Sequence, residues 1–455
     1  MPAMSERKRR RPARRKQTPD FPIQVSRLSH EGRGIASWGE RMLFVDGALP
    51  GELVEVRLTQ KSSKIAEAVT TRVHRPADNR HTPSCPHAST CGGCSLQHMP
   101  HTAQIAHKQA TLQSLMVQEA VDLTDAVQLP PLLGPLSGYR RRARLGVRWV
   151  HAKQRVLVGF REKASNFIAD IDACEVLDQR IGGDLHRLET VIAATSCPDR
   201  IPQIEVAAGD DTLAIIVRHL EPLSAEDHAR FVDLGETTGW HVYLQPKGPD
   251  SVHRIWPMAG ASGLTYRLGE LGLEYQFEVT DFTQINAQIN RQMILQALSL
   301  LEFNGSERVL DLFCGLGNFT LALATRAGSV TGVEVSQTMV DRVLQNARHN
   351  VLDNIAAHAF DLTESLADQS WANAPYDIVV VDPPRSGAKE VLEMLPLNGV
   401  TQLLYVSCNP ATLARDAAIL HTRGMKMIEY GVMDMFPQTA HVESMARFVQ
   451  VKSHG

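Results

Sequence analysis

From residue 286 onward the chain alternates helix-patterned and strand-patterned segments, and no other feature constrains its fold as much. AQINRQMILQALSLL has helical spacing, RVLDLF is strand-like, NFTLALATRA helical, VTGVEV a strand and QTMVDRVLQNARHN helical. YDIVVVD and QLLYVS follow as unbroken apolar runs, with PATLARDAAILHTRG helical after them. Unbroken apolar strands are buried on both faces. Alternated with helices of about 10–15 residues, they specify a doubly wound, mostly parallel sheet. Such α/β sheets bind ligands beyond the carboxyl ends of their strands. Four acids stand at or near those ends: Asp311, Glu334, Asp361 and Asp382.

RVLDLF runs into Cys314-Gly315-Leu316-Gly317-Asn318 at the start of a helix, where glycines let backbone approach a ligand. Position 320 is Thr where a dinucleotide fingerprint has its third glycine, which weighs against a nicotinamide dehydrogenase. Glu334 lies about 20 residues after the glycines, placed for ribose hydroxyls. Asp361 is placed for an adenine amine, and a later strand ends in Asp382-Pro383-Pro384-Arg385. As an ordered set these motifs resemble the class I methyltransferases that use S-adenosyl-L-methionine (SAM). The resemblance implies a Rossmann-like domain over residues 281–455 and SAM as cofactor.

QLLYVS leads into Ser407-Cys408-Asn409-Pro410 and then a helix. This sets a thiol at a strand's carboxyl end, where a helix N-terminus is expected to lower its pKa. Cys314 and Cys197 lack that placement and read as structural. A methyltransferase needs such a thiol when its target is a poor nucleophile, such as C5 of a uracil. Thiolate addition to C6 loads electron density onto C5, and after methyl transfer a separate base must remove the C5 proton. The candidate base is Glu443, two residues after His441.

SCNPATLARD together with DMFPQTAHVESM resembles the RNA uracil-C5 methyltransferases. The resemblance implies Cys408 as nucleophile and Glu443 as base. Phe282-Thr283-Gln284-Ile285-Asn286 matches a family segment whose glutamine contacts SAM. Phe313, Asn318, Glu334 and Asp382 carry over as further cofactor contacts, with Asp361 at a position of less fixed type.

Cys85, Cys91 and Cys94 cluster in HTPSCPHASTCGGCS, and Cys174 follows in DIDACEVLD. Their spacing suits a zinc ion or an iron–sulfur cluster, and the interleaved His81, His87 and His98 lean toward zinc. A branch of the uracil-C5 family carries this cysteine pattern and binds a [4Fe-4S] cluster. The resemblance therefore implies that cluster on Cys85, Cys91, Cys94 and Cys174, in a structural or RNA-docking role.

Residues 21–75 break into short alternating runs between EGRG, DGALPGE and KSSK, the pattern of a small β-barrel. This stretch resembles an OB-like TRAM domain, which implies RNA binding. A β-rich central domain is expected over 76–280. Within it, residues 101–122 have helical spacing at Ile105, Leu112, Leu115, Met116 and Ala120, and this helix is placed on the catalytic domain. In YRRRARLGVRWV, Arg140, Arg142, Arg144 and Arg148 share one strand face and suit a phosphate backbone. Residues 1–16 hold eight basic residues against Glu6, a net +7. That leaves −10 on the rest of a chain whose total is −3, and a disordered basic tail over 1–20 fits a polyanion partner.

A TRAM barrel, a cysteine cluster and a methyltransferase in one chain resemble the ribosomal-RNA branch of this family, and that resemblance implies a uridine of 23S ribosomal RNA as substrate. The same chemistry on a second rRNA uridine or on tRNA is the alternative. No apolar run approaches a membrane span of about 20 residues, and seven sparse cysteines do not make a secreted scaffold. A cytoplasmic monomer without membrane contact is expected. A non-catalytic RNA-binding iron–sulfur protein would leave the Cys408 and Glu443 motifs idle.

Overall fold

A computed structural model of the protein describes residues 21–260 and 263–451. The basic tail expected over 1–20 lies outside the described residues. The chain forms two compact units. One comprises the described residues up to Thr82 with His98–Pro100, the other Pro83–Gln97 and everything from His101 on.

The first unit is a six-stranded sheet in the order Ile23–Gln24, Leu53–Lys61, Ile65–Arg75, Arg41–Asp46, Gly34–Trp38, Arg27–Leu28. Its strands alternate as a half-buried sheet must: Val54, Val56 and Leu58 point inward, Glu55 and Arg57 outward. Ile23, Val25, Leu43, Val45, Ala66 and Ala68 complete the core. The buried Glu52 ties the end of the unit down, accepting from Leu49 N (2.8 Å), Ala77 N (3.2 Å) and Arg80 Nη1 (2.8 Å). On the outside, the Arg41 and Lys61 cations lie 5.7 and 5.1 Å from the Trp38 ring.

The second unit holds two large sheets. The first runs His253–Trp256, His241–Gln245, Leu213–Arg218, Gln203–Ala208, Arg142–Val150, Arg155–Gly159. Ala143, Leu145 and Val147 face its core, as the alternation requires. The arginines of the opposite face are not all free, which corrects the expected phosphate-tracking row. Arg140 lies 5.2 Å over Phe160 and donates to Arg142 O (3.1 Å). Arg142 donates to Val279 O (2.7 Å), and Arg144 meets its cross-strand partner Glu205 (3.1 Å). Arg144 and Arg148 are the two of the row that remain exposed.

The other sheet has eight strands: Ile355–Ala359, Ser329–Glu334, Arg308–Leu312, Ile378–Val381, Gln402–Ser407, Glu443–Gln450, Met425–Met433 and Val127–Gln128. The first five are parallel; Glu443–Gln450 runs antiparallel to both its neighbours. Ile378–Val381 and Gln402–Ser407 are buried at every residue, as unbroken apolar runs should be. Chain order reverses between Arg308–Leu312 and Ile378–Val381, and that switch opens a crevice at their carboxyl ends. The predicted helix NFTLALATRA is shorter than its pattern, spanning Thr320–Ala324.

The helix predicted over 101–122 spans His101–Gln118 and buries Leu112 and Met116 with Leu310, Tyr405, Tyr430 and Phe448 of the eight-stranded sheet. Ala120 lies beyond it, in a turn at φ 55°. The same face also buries Gln104, Lys108 and Thr111, three polar residues the apolar period does not reveal. Among the described residues no helix is long and apolar enough to cross a membrane.

Candidate active site

Cys408 sits between strand Gln402–Ser407 and helix Pro410–Thr422. Asn409 caps the helix, its Oδ1 accepting from Ala411 N (3.1 Å), and Pro410 takes the first helical position, where a missing N–H goes unnoticed. Ser407 Oγ accepts from Asn409 N (3.1 Å) and donates to Asn409 O (2.9 Å), closing a tight turn around the cysteine. The rest of this motif braces the loop after Asp382. Asn409 Nδ2 donates to Arg385 O (3.0 Å) and Arg415 Nη2 to Ser386 O (2.9 Å). The fully buried Asp416 accepts from Ala388 N (2.7 Å) and Tyr405 OH (2.6 Å). Gly387 has φ +82°, and a Cβ there would meet Arg415 and Asp416 at 2.4 and 2.6 Å, so this crossing needs glycine.

The ladder between Gln402–Ser407 and Glu443–Gln450 ends on Ser407 opposite Ser444. One position beyond this last pair stand Cys408 and Glu443, near enough for the carboxylate to act on the thiol. Glu443 in turn pairs with Met433 on its other side. The loop between those strands is held from outside the parallel sheet. Lys108 Nζ donates to Asp434 Oδ1 (2.6 Å) and Phe436 O (3.1 Å), and His101 Nε2 lies 2.7 Å from Asp434 Oδ2. Tyr139 OH donates to Pro437 O (2.9 Å). Gln438, at φ 67°, exchanges hydrogen bonds with Gln104 (2.9 and 3.1 Å) and accepts at its carbonyl from Ser95 N and Leu96 N. Sequence reasoning missed Lys108, Gln104 and Tyr139, because a helical or strand period treats a polar residue as surface.

Electrostatics join Cys408, Glu443, Asp382 and Arg385 into one group. Burial first, then Glu443 and Asp382, push the Cys408 thiol up to about 11, with Arg385 opposing. This corrects the expected lowering: two facing carboxylates and desolvation outweigh the adjacent helix N-terminus. Burial and Asp382 hold Glu443 well above the carboxylate range, while Arg385 and Lys108 pull it back. Asp382 is pushed to about 7 by burial, and Asp311 to about 7 by burial and then by Asp382 and Glu334. Asp311 Oδ2 accepts from Thr320 (2.6 Å), and its buried Oδ1 has no partner.

The crevice lies beside this group. Gly317 has φ +96°, and a Cβ there would strike Leu321 at 2.5 Å. Phe313 takes φ 62°, a costly conformation for a non-glycine residue, at the tip of strand Arg308–Leu312. Glu334 Oε2 accepts from Gly315 N (3.1 Å) and Oε1 from Ser336 N (3.3 Å), which aims the carboxylate at the glycine turn. The Asn318 amide is largely engaged inside the protein: its Oδ1 accepts from Tyr266 OH (2.9 Å) and Asn290 (3.0 Å), and its Nδ2 donates to Asn290 (2.8 Å). Asp361 is exposed and caps its own turn, Oδ1 accepting from Thr363 N and Oγ1 (2.9 and 2.7 Å). Gln284 is partly buried, two residues before Asn286, which caps helix Ala287–Leu300. Cys314 is buried in the core, whereas Cys197 is partly exposed rather than buried as a structural thiol would be.

Cys85, Cys91, Cys94 and Cys174 line one hollow of about 360 Å³, its open mouth included, with Phe160 and Ile171 in its wall. Burial raises all four thiols, and Cys91, Cys94 and Cys174 also feel the charge of other cysteines: Cys94 reaches about 11, with Cys174, Cys91 and Cys85 adding to the rise. Among the described residues no three His, Cys, Asp or Glu side chains converge on a single metal ion.

A sequence profile of the tRNA (Uracil-5-)-methyltransferase family matches residues 101–450, and one of the TRAM domain matches residues 19–70. A protein of Alcanivorax borkumensis named 23S rRNA (uracil(1939)-C(5))-methyltransferase RlmD is 48% identical over 96% of this chain and 99% of its own. A protein of the same name from Hahella chejuensis is 47% identical over the same shares. The crystal structure of Pyrococcus abyssi tRNA (uracil-54, C5)-methyltransferase with S-adenosyl-L-homocysteine superposes at a TM-score of 0.73. It covers 94% of this chain and 99% of that one at 22% identity, a likeness of fold.

Proposed function

The chain belongs to the tRNA (Uracil-5-)-methyltransferase family, and from that premise we propose that it methylates C5 of a specific uridine in 23S ribosomal RNA in the cytoplasm. The observation that carries the reading is that Cys408 and Glu443, each one position beyond the last ladder pair Ser407–Ser444, come together beside Asp382 and Arg385. The Cys408 thiolate adds to C6, and the resulting enolate makes C5 nucleophilic. SAM, when bound, supplies the electrophilic methyl group. Glu443 then takes the C5 proton, the C5–C6 double bond reforms, and the C6–S electron pair leaves with Cys408.

The switch-point crevice fits SAM: a Cβ at Gly315 would meet nothing within 4 Å, so the glycine turn is open there, and the unpartnered Asp311 Oδ1 is a polar atom in want of a ligand or water. Glu334, Asp382, Gln284, Phe313 and Asp361 would line it. Asn318 would act chiefly by shaping the loop, since its amide is engaged with Tyr266 and Asn290. The target base must leave its stack to reach Cys408, and the cationic Trp38 face of the TRAM barrel is suited to hold the RNA backbone.

For the four cysteines the reading is a [4Fe-4S] cluster. What supports it is that all four thiols line one hollow, the count a [4Fe-4S] cluster takes as ligands. The uracil chemistry has no redox step, so the cluster's role would be structural.

Purified protein with SAM and unmodified 23S rRNA should yield one 5-methyluridine on mass-spectrometric mapping. Two sites would favour a dual-site enzyme, and methylation of tRNA alone would overturn the substrate. Cys408→Ala should bind SAM and lose turnover; Glu443→Gln should stall as a covalent protein–RNA adduct. Anaerobically prepared protein should hold about four irons and four sulfides per chain; stoichiometric zinc would overturn the cluster.

A further inference from the structure

Lys108 is fully buried, and its helix lies outside the alternating catalytic segment of the sequence. A buried ion pair is a weak source of stability, since an apolar pair of similar volume does as well or better. Its location therefore asks for another explanation. Asp434, which receives Lys108 at 2.6 Å, is the next residue after Met433, the cross-strand partner of Glu443. The same ammonium reaches Phe436 O. Two bonds from one lysine thus fix the mouth of the loop level with Glu443.

We propose that Lys108 is a positioning residue for the elimination step, fixing the loop that sets Glu443 in place and lending its positive charge to that carboxylate. This rests on the reading of Glu443 as the base. In that step the Glu443 carboxylate accepts the C5 proton, the C5–H pair becomes the C5–C6 double bond, and the C6–S pair departs as the Cys408 thiolate. The groups that bear on Glu443 are Asp382, which opposes its ionisation, and Arg385 and Lys108, which favour it. His441, two residues away, is held below its ordinary value by burial and by Arg385, Lys108 and Arg140. Removing Lys108 leaves Arg385 to counter Asp382 alone.

The test is single-turnover kinetics of the full-length protein with methyl-labelled SAM and the RNA substrate. In Lys108→Met, methyl transfer to RNA should stay within about threefold of the parent protein. Release of the covalent adduct should slow at least about tenfold, a loss of about 1.4 kcal/mol in that step alone. The rising limb of the release rate should move to higher pH, because Glu443 then ionises later, and raising the pH should restore release. Lys108→Met/Asp434→Asn removes both halves of the ion pair and carries the test if the single variant does not fold. It too should accumulate adduct. Equal slowing of both steps, an unmoved pH limb, or full recovery in the double variant would overturn the proposal, the last by tracing the defect to an orphaned Asp434. Glu443→Gln run alongside separates the two readings. If it fails to trap adduct, the base assignment falls; if it traps and Lys108→Met does not, only the role of Lys108 falls.

Discussion

The raised Cys408 thiol makes a prediction that needs no substrate. Burial, Glu443 and Asp382 take it from an ordinary value near 9 to about 11. At pH 8 the thiolate fraction then falls from about one in ten to about one in a thousand, roughly a hundredfold. A more basic thiolate is also the better nucleophile, and a Brønsted slope of about 0.4–0.5 over two units returns roughly six- to tenfold. Alkylation of Cys408 by iodoacetamide at pH 8 should therefore run about ten to fifteen times slower than that of a short peptide spanning Cys408. The assay is isotope-coded alkylation from pH 6.5 to 10.5, read by mass spectrometry of the Cys408 peptide. The rate should still climb close to tenfold per pH unit at pH 10. Asp382→Asn removes one opposing charge and should speed alkylation at pH 8. A plateau at or below pH 9 in the parent protein would refute the electrostatic account and reinstate the helix N-terminus as the dominant influence.

Two further predictions concern stability. Asp416→Ala leaves the Tyr405 hydroxyl and Ala388 N–H buried without a partner, at about 1–3 kcal/mol each. Urea unfolding should show a loss of roughly 3–5 kcal/mol together with reduced activity, and a loss below about 1 kcal/mol would contradict the bracing role. Asp311 titrates near 7 when folded and near 4 when unfolded, so the stability it confers is complete below about pH 4 and lost as pH rises through 7. Asp311→Asn should therefore gain on the parent protein between pH 5 and pH 8 by about 3 kcal/mol; a difference independent of pH would show that Asp311 is ionised throughout.

The parallel sheet was legible because its strands are buried on both faces and so carry unbroken apolar runs, Ile378–Val381 being the plainest. The pairing of Cys408 with Glu443 was legible only as two motifs; their adjacency comes from a ladder register that no local pattern encodes. Val127–Gln128, the edge strand beside Met425–Met433, is too short to show a period. Lys108 reads as a surface lysine until Asp434, far along the chain, supplies the partner that allows burial. Arg142 read as a free cation because its acceptor, Val279 O, belongs to another segment. The direction of the Cys408 shift was misjudged for a related reason: the helix N-terminus is local in sequence, whereas Glu443 and Asp382 approach only in the fold.

The helix His101–Gln118 has a consequence for how the chain is made. Leu112 and Met116 bury against Tyr405, Tyr430 and Phe448, residues synthesised some three hundred positions later. At about 5–20 residues per second, a ribosome exposes that helix for roughly 15–60 s before the last of those partners emerges. Through that interval the nascent protein carries an unmatched apolar stripe and an unpaired lysine. A holdase chaperone should occupy this segment until the C-terminal strands are complete, and a ribosome stalled before residue 425 should leave it bound there.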